Sequence, residues 1–140
     1  MNEKILAEAA KIINEAKDPL MAFSVLDEKG YPSASCVGIT LANGMKELYF
    51  GSDLEGNKSR RVAANGKSSL CYFSNDFNIT LVGTTEIVND VEFKKANWRN
   101  EWASMWSGYD DPDYVVFKFT TERYSLCLMA MDEQIYGEMV

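Results

Sequence analysis

Asn43-Gly44 is a two-residue turn signal, because both residues enter the positive-φ conformations that a tight β-hairpin demands. It is one of several such breaks at short intervals. Asp27-Glu28-Lys29-Gly30 forms another turn, and Asn75-Asp76 supplies further turn residues. Between them lie short apolar runs. Leu20 to Leu26, Pro32 to Thr40, Glu47 to Gly51, Ser68 to Phe73 and Ile79 to Val88 read as strands. Tyr114 to Thr120 and Tyr124 to Met129 read as a last hairpin. Strands this short, joined this tightly, pair antiparallel with their neighbours.

Helical periodicity appears three times. Ile5, Ala9, Ile12, Ile13 and Ala16 form one apolar stripe over Asn2 to Lys17, with Asn2 as the expected cap and Asp18-Pro19 as the stop. A short helix is expected over Asn57 to Asn65, ending at Gly66 as C-cap. Asn89 and Glu92 fit a capping box that opens a helix to about Trp106. Trp98, Trp102 and Trp106 then share one face at i, i+4, i+8, most simply as an aromatic seal over a sheet. Ser107 to Asp113 is a loop whose Asp110, Asp111 and Asp113 lack calcium-loop spacing and read as turn and cap residues. The tail from Asp132 to Val140 stays ambiguous. The expected class is α+β and mainly β: a six-stranded antiparallel barrel with flanking helices, one domain over 1–140.

Composition narrows function. A net charge of −7 disfavours nucleic acid and acidic membranes as partners, and no apolar run reaches spanning length. The start of the chain reads as an amphipathic helix instead of a signal peptide. Three cysteines without framework spacing fit reduced, buried thiols and a cytoplasmic location. The chain has no histidine. Ser-His and Cys-His nucleophile schemes, His-ligated zinc and His-ligated haem are therefore excluded. No catalytic side chain or metal ligand set is expected, so chemistry must come from a cofactor or from carboxylates.

The few cations carry the functional signal. Gly51-Ser52 ends a strand-like run, a short polar loop follows, and Asn57-Lys58 opens a helix. A hydroxyl, free N–H groups at a helix N-terminus and a cation six residues on can together hold a phosphate. Each part also has an ordinary role, Ser52 as a turn cap and Lys58 as a solvated helix lysine. Arg60 and Arg61 read as surface residues.

With these parts in order, the chain resembles the pyridoxamine 5'-phosphate oxidase-like FMN-binding split barrels, and within them the general stress proteins. The resemblance runs from about Leu20 to Leu128. It rests on Gly30-Tyr31-Pro32 in the first hairpin, on Leu48 to Lys58, on Arg61 to Tyr72, and on Trp98 through Asp110-Asp111-Pro112-Asp113-Tyr114. It implies FMN as cofactor, with Ser52 and Lys58 on its phosphate. It implies that Cys36 and Val37 run their backbone beside the flavin ring, and that Asn78 stands where the oxidases use a Gln on the ring. It further implies a homodimer with flavin sites at the subunit interface, where Trp106 is a candidate to cover a ring edge from the partner.

The departures concern both cofactor and substrate. Ser35 stands where many members carry a phosphate-binding Arg, and Gly56-Asn57 replaces a Ser-Arg pair. Asn65-Gly66 replaces Asn-Pro. Thr40 replaces a Lys, and neither the substrate-binding His nor an Arg-rich C-terminal segment is present. The resemblance thus implies a flavoprotein, an oxidoreductase acting on a small-molecule substrate at flavin N5, more than vitamin B6 oxidation. Two other readings remain: a flavin-binding stress or sensor protein with little turnover, and a barrel turned to another ligand such as a deazaflavin.

Overall fold

The computed structural model describes residues 2–140, without the side chain of Asn2, so the expected Asn2 cap lies outside the described residues. The chain runs α1 (Asn2–Glu15), β1 (Leu20–Leu26), β2 (Pro32–Gly38), β3 (Leu41–Asn43), β4 (Glu47–Asp53), α2 (Asn57–Ala64), β5 (Lys67–Phe73), β6 (Phe77–Val88), α3 (Val91–Asn97), β7 (Tyr114–Leu128) and β8 (Glu133–Glu138). Short 3₁₀ turns lie at Asn100–Ser104 and Met129–Met131.

All strand pairs are antiparallel, in the order β2-β1-β5-β6-β7-β4-β3, with β8 added to β7. The expected split barrel is found. Six strands, β2-β1-β5-β6-β7-β4, form its continuous path, and β3 and β8 extend it at the margins. No ladder joins β2 to β4, and this seam leaves the barrel split. Alternation decides which side chains fill the interior: Met21, Phe23 and Val25 on β1 point in, as do Leu48 and Phe50 on β4. Phe23, Phe50 and Phe117 meet edge-on or tilted at the centre, with Phe23–Phe50 centroids 4.9 Å apart and Phe50–Phe117 5.3 Å. Such contacts add about 0.5–1.5 kcal/mol per pair beyond burial itself. Ile5, Ala9 and Ile13 of α1 are buried against the same core.

Four local expectations are corrected, and the ambiguous tail is resolved. The last hairpin is one long strand, β7, because Thr121-Glu122-Arg123 contains no turn chemistry. The chain bends there instead, where the β6–β7 register shifts between Val82 and Gly83 and the buried Thr121 hydroxyl donates to the Met45 carbonyl. The ambiguous tail forms β8 on the C-terminal half of β7. The helix expected to reach Trp106 stops at Asn97, with Trp98 already extended. Asn97 is fully buried, donates to its own helix at Phe93 O (2.9 Å) and accepts from Thr40, and these bonds compete with continuing the helix. Its cap is Asp90, whose carboxylate accepts the Glu92 N–H at 2.8 Å, whereas Asn89 accepts from Lys94. Gly66 does not cap α2; Asn65 does, in an extended conformation. A Cβ on Gly66 would press on the Thr85 carbonyl oxygen at 2.5 Å, so close approach to β6 explains this glycine.

Candidate functional site

The seam between β2 and β4 opens over the start of α2. A cavity of about 290 Å³ sits there, lined by Val25, Ser33, Ser35, Ser52, Asp53, Gly56, Asn57, Lys58 and Arg61. Alternation puts Ser33 and Ser35 on the seam side of β2, since they pair with inward-facing Val25 and Phe23. Ser52 pairs with buried Val115 and faces the same space from β4. Three hydroxyl residues thus converge with two cations.

The helix start is open. Gly56 is the N-cap of α2 and offers no side-chain bond, and the first turn holds no acidic residue. The first-turn N–H groups therefore keep their hydrogen-bonding capacity, and the helix dipole adds positive potential. The preceding turn is braced from behind. The buried Ser59 hydroxyl donates to Asp53 O, and Gly56 N–H donates to the same carbonyl at 3.2 Å. The one carboxylate lining the cavity, Asp53, accepts the Trp106 indole N–H on Oδ1 at 2.8 Å, which orients it and leaves its negative charge in place.

The two arginines part. Arg60 turns away from the cavity, donating to Glu55 O (2.7 Å) and Asn57 Oδ1. Arg61 reaches across the seam to Ser33 Oγ (3.3 Å) and pairs with Glu28 in the β1–β2 turn, Nε to Oε1 at 3.2 Å. That guanidinium holds the Glu28 carboxyl below its ordinary range.

Ser35, Ser52, Asn57 and Lys58 are therefore brought together. The other candidates lie apart. Val37 is buried on the inward face of β2. Gly51 faces the opposite way, where a Cβ would meet Trp102 at 3.0 Å and Tyr114 at 3.1 Å, so its missing side chain serves packing. Cys36 is exposed on the outer face, and Cys71 and Cys127 are half-buried there, free thiols all three; the expectation of buried thiols is corrected. They sit opposite small or polar neighbours on that face, not in the core. Asn78 shares this face, accepting from Thr80 Oγ1 at 2.9 Å, but its row lies three strands from Cys36, about 14 Å at ordinary strand spacing. Trp106 is not in the cavity lining. It is buried in a cluster with Trp98, Trp102 and Tyr114, and the three indoles converge through the 3₁₀ turn although the continuous helix expected to align them is absent. Ser33 and Asp53 join the site beside the residues that the sequence marks, and the two-residue alternation from Ser35 is the signal for Ser33.

Residues 5–127 match the family model for pyridoxamine 5'-phosphate oxidase. The chain belongs to this family. No curated protein matches it. Among solved structures, it is similar to a protein related to general stress protein 26 from Clostridium acetobutylicum, of the pyridoxinephosphate oxidase family. Identity is 24%, TM-score 0.83, and coverage 99% of this chain and 97% of that one. General stress protein 26 from Bacillus anthracis is similar at 16% identity, TM-score 0.80, covering 96% and 98%. A NimC/NimA family protein from C. acetobutylicum gives 17%, TM-score 0.75, covering 98% and 96%. These likenesses concern the fold. Thr40, where the resemblance implies a Lys in the oxidases, is held inside the fold. It is buried, its hydroxyl is bonded to Asn97 and to Tyr49 O, and Arg99 donates to its carbonyl at 2.8 Å. Its hydroxyl proton and its carbonyl are both engaged within the protein.

Proposed function

We propose that this protein binds FMN with its phosphate in the seam cavity and serves as an oxidoreductase for a small molecule. One observation carries the reading: Ser35, Ser52, Lys58 and the uncapped start of α2 line a single cavity, with Arg61 at its edge. A phosphate dianion fits this donor set, because Ser35, Ser52, Lys58, Arg61 and the α2 N–H groups are each a hydrogen-bond donor or a cation, and the two cations outweigh the single Asp53 carboxylate. When bound, FMN supplies a hydride acceptor and donor at N5. The chain's residues then bind and orient. Lys58 and the α2 N–H groups fix the phosphate end, Ser52 and Ser35 donate hydroxyls, and the β2 backbone at Cys36 and Val37 runs alongside the rest.

At about 290 Å³ the cavity is at the small end of ligand sites, which span roughly 300–1,000 Å³. It suits the phosphate end alone. The ring then lies along the protein surface and needs a cover. A second copy of the chain, related by a two-fold axis, is the cover we propose. The outer sheet face supports it: exposed Phe73 and Tyr136 stand among Cys36, Cys71, Thr80, Ser125 and Asn78. A partner copy is also the way for Asn78 to approach a ring held near Cys36 of the first.

No helix among the described residues is long and apolar enough to cross a membrane, and a cytoplasmic location is proposed with the flavin reading. The test is an absorbance spectrum of the protein purified in the presence of FMN. Expected are a retained flavin band, its bleaching by a reduced nicotinamide and its return with an electron-accepting small molecule. Failure to retain FMN after reconstitution overturns the cofactor. Retention without bleaching or turnover overturns the oxidoreductase reading and leaves a flavin-binding protein.

A further inference from the structure

We infer that Arg61 is the second cation of the cradle and that Glu28 is its displaceable counter-ion. The inference rests on the FMN reading and extends it. A phosphate dianion beside Lys58 alone leaves one negative charge without a partner in a partly enclosed site. Arg61 is the other cation lining that cavity, and its side chain is only 21% exposed. Its Nη1 already points to Ser33 Oγ on the cavity wall at 3.3 Å. Arg60 cannot replace it, being committed to Glu55 O and Asn57.

Glu28 holds the rest of the fork, Oε1 on Nε at 3.2 Å and Oε2 on Nη2 at 3.3 Å. This carboxylate is 63% exposed and sits in a turn, so it can return to water at little cost, whereas Arg61 cannot move far. A guanidinium matches phosphate as readily as carboxylate, two N–H groups to two oxygens. A two-pronged phosphate contact from the cavity side needs Nη2 beside the cavity-facing Nη1, and Glu28 holds Nη2, so phosphate and Glu28 compete for that donor and for the guanidinium's charge. In the free protein Glu28 keeps Arg61 extended across the seam; in the complex the ligand takes its place.

An ordinary structural clamp, tying α2 to the β1–β2 turn, makes the opposite prediction for Glu28. The full-length chain and its Arg61→Ala, Arg61→Gln, Glu28→Gln and Lys58→Ala variants would be titrated with FMN and with riboflavin, following flavin fluorescence. Loss of Arg61 should weaken FMN about ten- to a hundredfold and leave riboflavin within about twofold. Arg61→Gln keeps length and polarity, so it gives the reading if Arg61→Ala fails to fold. Glu28→Gln should tighten FMN about two- to fivefold, by removing the competitor. Weaker FMN binding in Glu28→Gln, or equal losses for both flavins in the Arg61 variants, overturns the inference in favour of the clamp. If Lys58→Ala is selective for FMN and Arg61→Gln is silent, the inference falls and the cradle stands. If the unmodified chain binds neither flavin, both fall.

Discussion

Replacing Lys58 by alanine tests the cradle at its centre. Lys58 is half-buried at the second position of α2 and lines the seam cavity, yet it enters none of the ion pairs among the described residues. Its ammonium group is therefore uncommitted in the free protein. Two unit charges 4 Å apart attract by about 4 kcal/mol at the effective dielectric of a protein surface. Desolvation and the ordering of a flexible side chain remove much of that. The measured range for hydrogen bonds to charged groups, about 1.5–3 kcal/mol, is the appropriate net figure. Lys58→Ala should then weaken FMN binding about ten- to a hundredfold.

Riboflavin supplies the internal control, since it is the same molecule without the phosphate. Its affinity should change by less than about twofold, because no charged partner is lost. Stability without flavin should stay within about 0.5 kcal/mol, since no ion pair is lost and alanine's helix preference offsets the contacts of the lysine stem. Fluorescence titrations at two salt concentrations complete the assay. The gap between the parent protein and the variant should narrow at high salt, where surface charges are screened. Unchanged FMN affinity, or equal weakening of both ligands, would refute the reasoning.

Three further outcomes follow from the packing. Gly83→Ala should cost about 3 kcal/mol, at the upper end of overpacking, because its Cβ would run into the Thr120 carbonyl at the bend of β7; Gly30→Ala, with open space but φ of 84°, should cost only about 1–2 kcal/mol. Urea unfolding of both variants checks the order, and a milder loss at Gly83 would mean that the β6–β7 bend relaxes. Trp106→Phe removes the 2.8 Å bond to Asp53 and should cost about 1–2 kcal/mol in the same assay while weakening FMN binding, since that bond braces the turn before α2; unchanged binding would show that the turn holds without it. Burial pushes the Tyr114 phenol up to about 12 from an ordinary 10, so the unfolded chain loses this proton first. The stabilisation is complete below pH 10 and is lost as pH rises from 10 through 12, and Tyr114→Phe should flatten that part of the pH–stability curve; an unchanged alkaline slope would refute the assignment.

What the sequence disclosed follows from how local each signal is. Period-two alternation and the Asn43-Gly44 and Asp27–Gly30 turns act over a few residues, and the strands they delimit are found at nearly the expected places. The errors arose where a distant contact overrode a local preference. Helical spacing favoured α3 running on to Trp106, but Asn97 is engaged by Thr40, far away in the chain, and the helix ends there. Gly66 looked like a helix cap and is explained by Thr85 on a neighbouring strand. Tyr114–Thr120 and Arg123–Leu128 look like two strands of a hairpin but are halves of one strand, β7, that pair with different outer neighbours, β4 and β8, and no local pattern records that exchange.

The cradle shows the same division. Ser52, Asn57 and Lys58 lie within one turn and helix start, so six-residue spacing sufficed to group them. Ser35 joined them only through resemblance, and its neighbour Ser33 escaped notice, because the contact of β2 with α2 is made across a seam that no hydrogen-bond ladder crosses. Arg60 and Arg61 were indistinguishable in sequence, being adjacent and of one type. On a helix, adjacent positions differ by about 100° in direction, and that rotation sends Arg61 to Ser33 and Arg60 to Glu55. A cation placed by helix phase also has consequences for substitution. Moving the positive charge about one turn along α2, as in the pair Arg61→Gln with Ala64→Arg, should not restore FMN binding, read by the same fluorescence titration. Position 65 is four residues on but lies past the helix end in extended backbone. Position 61 is the one second-turn site whose direction crosses the seam, and this is why the charge balance of the cavity depends on a residue outside the spacing that first drew attention to it.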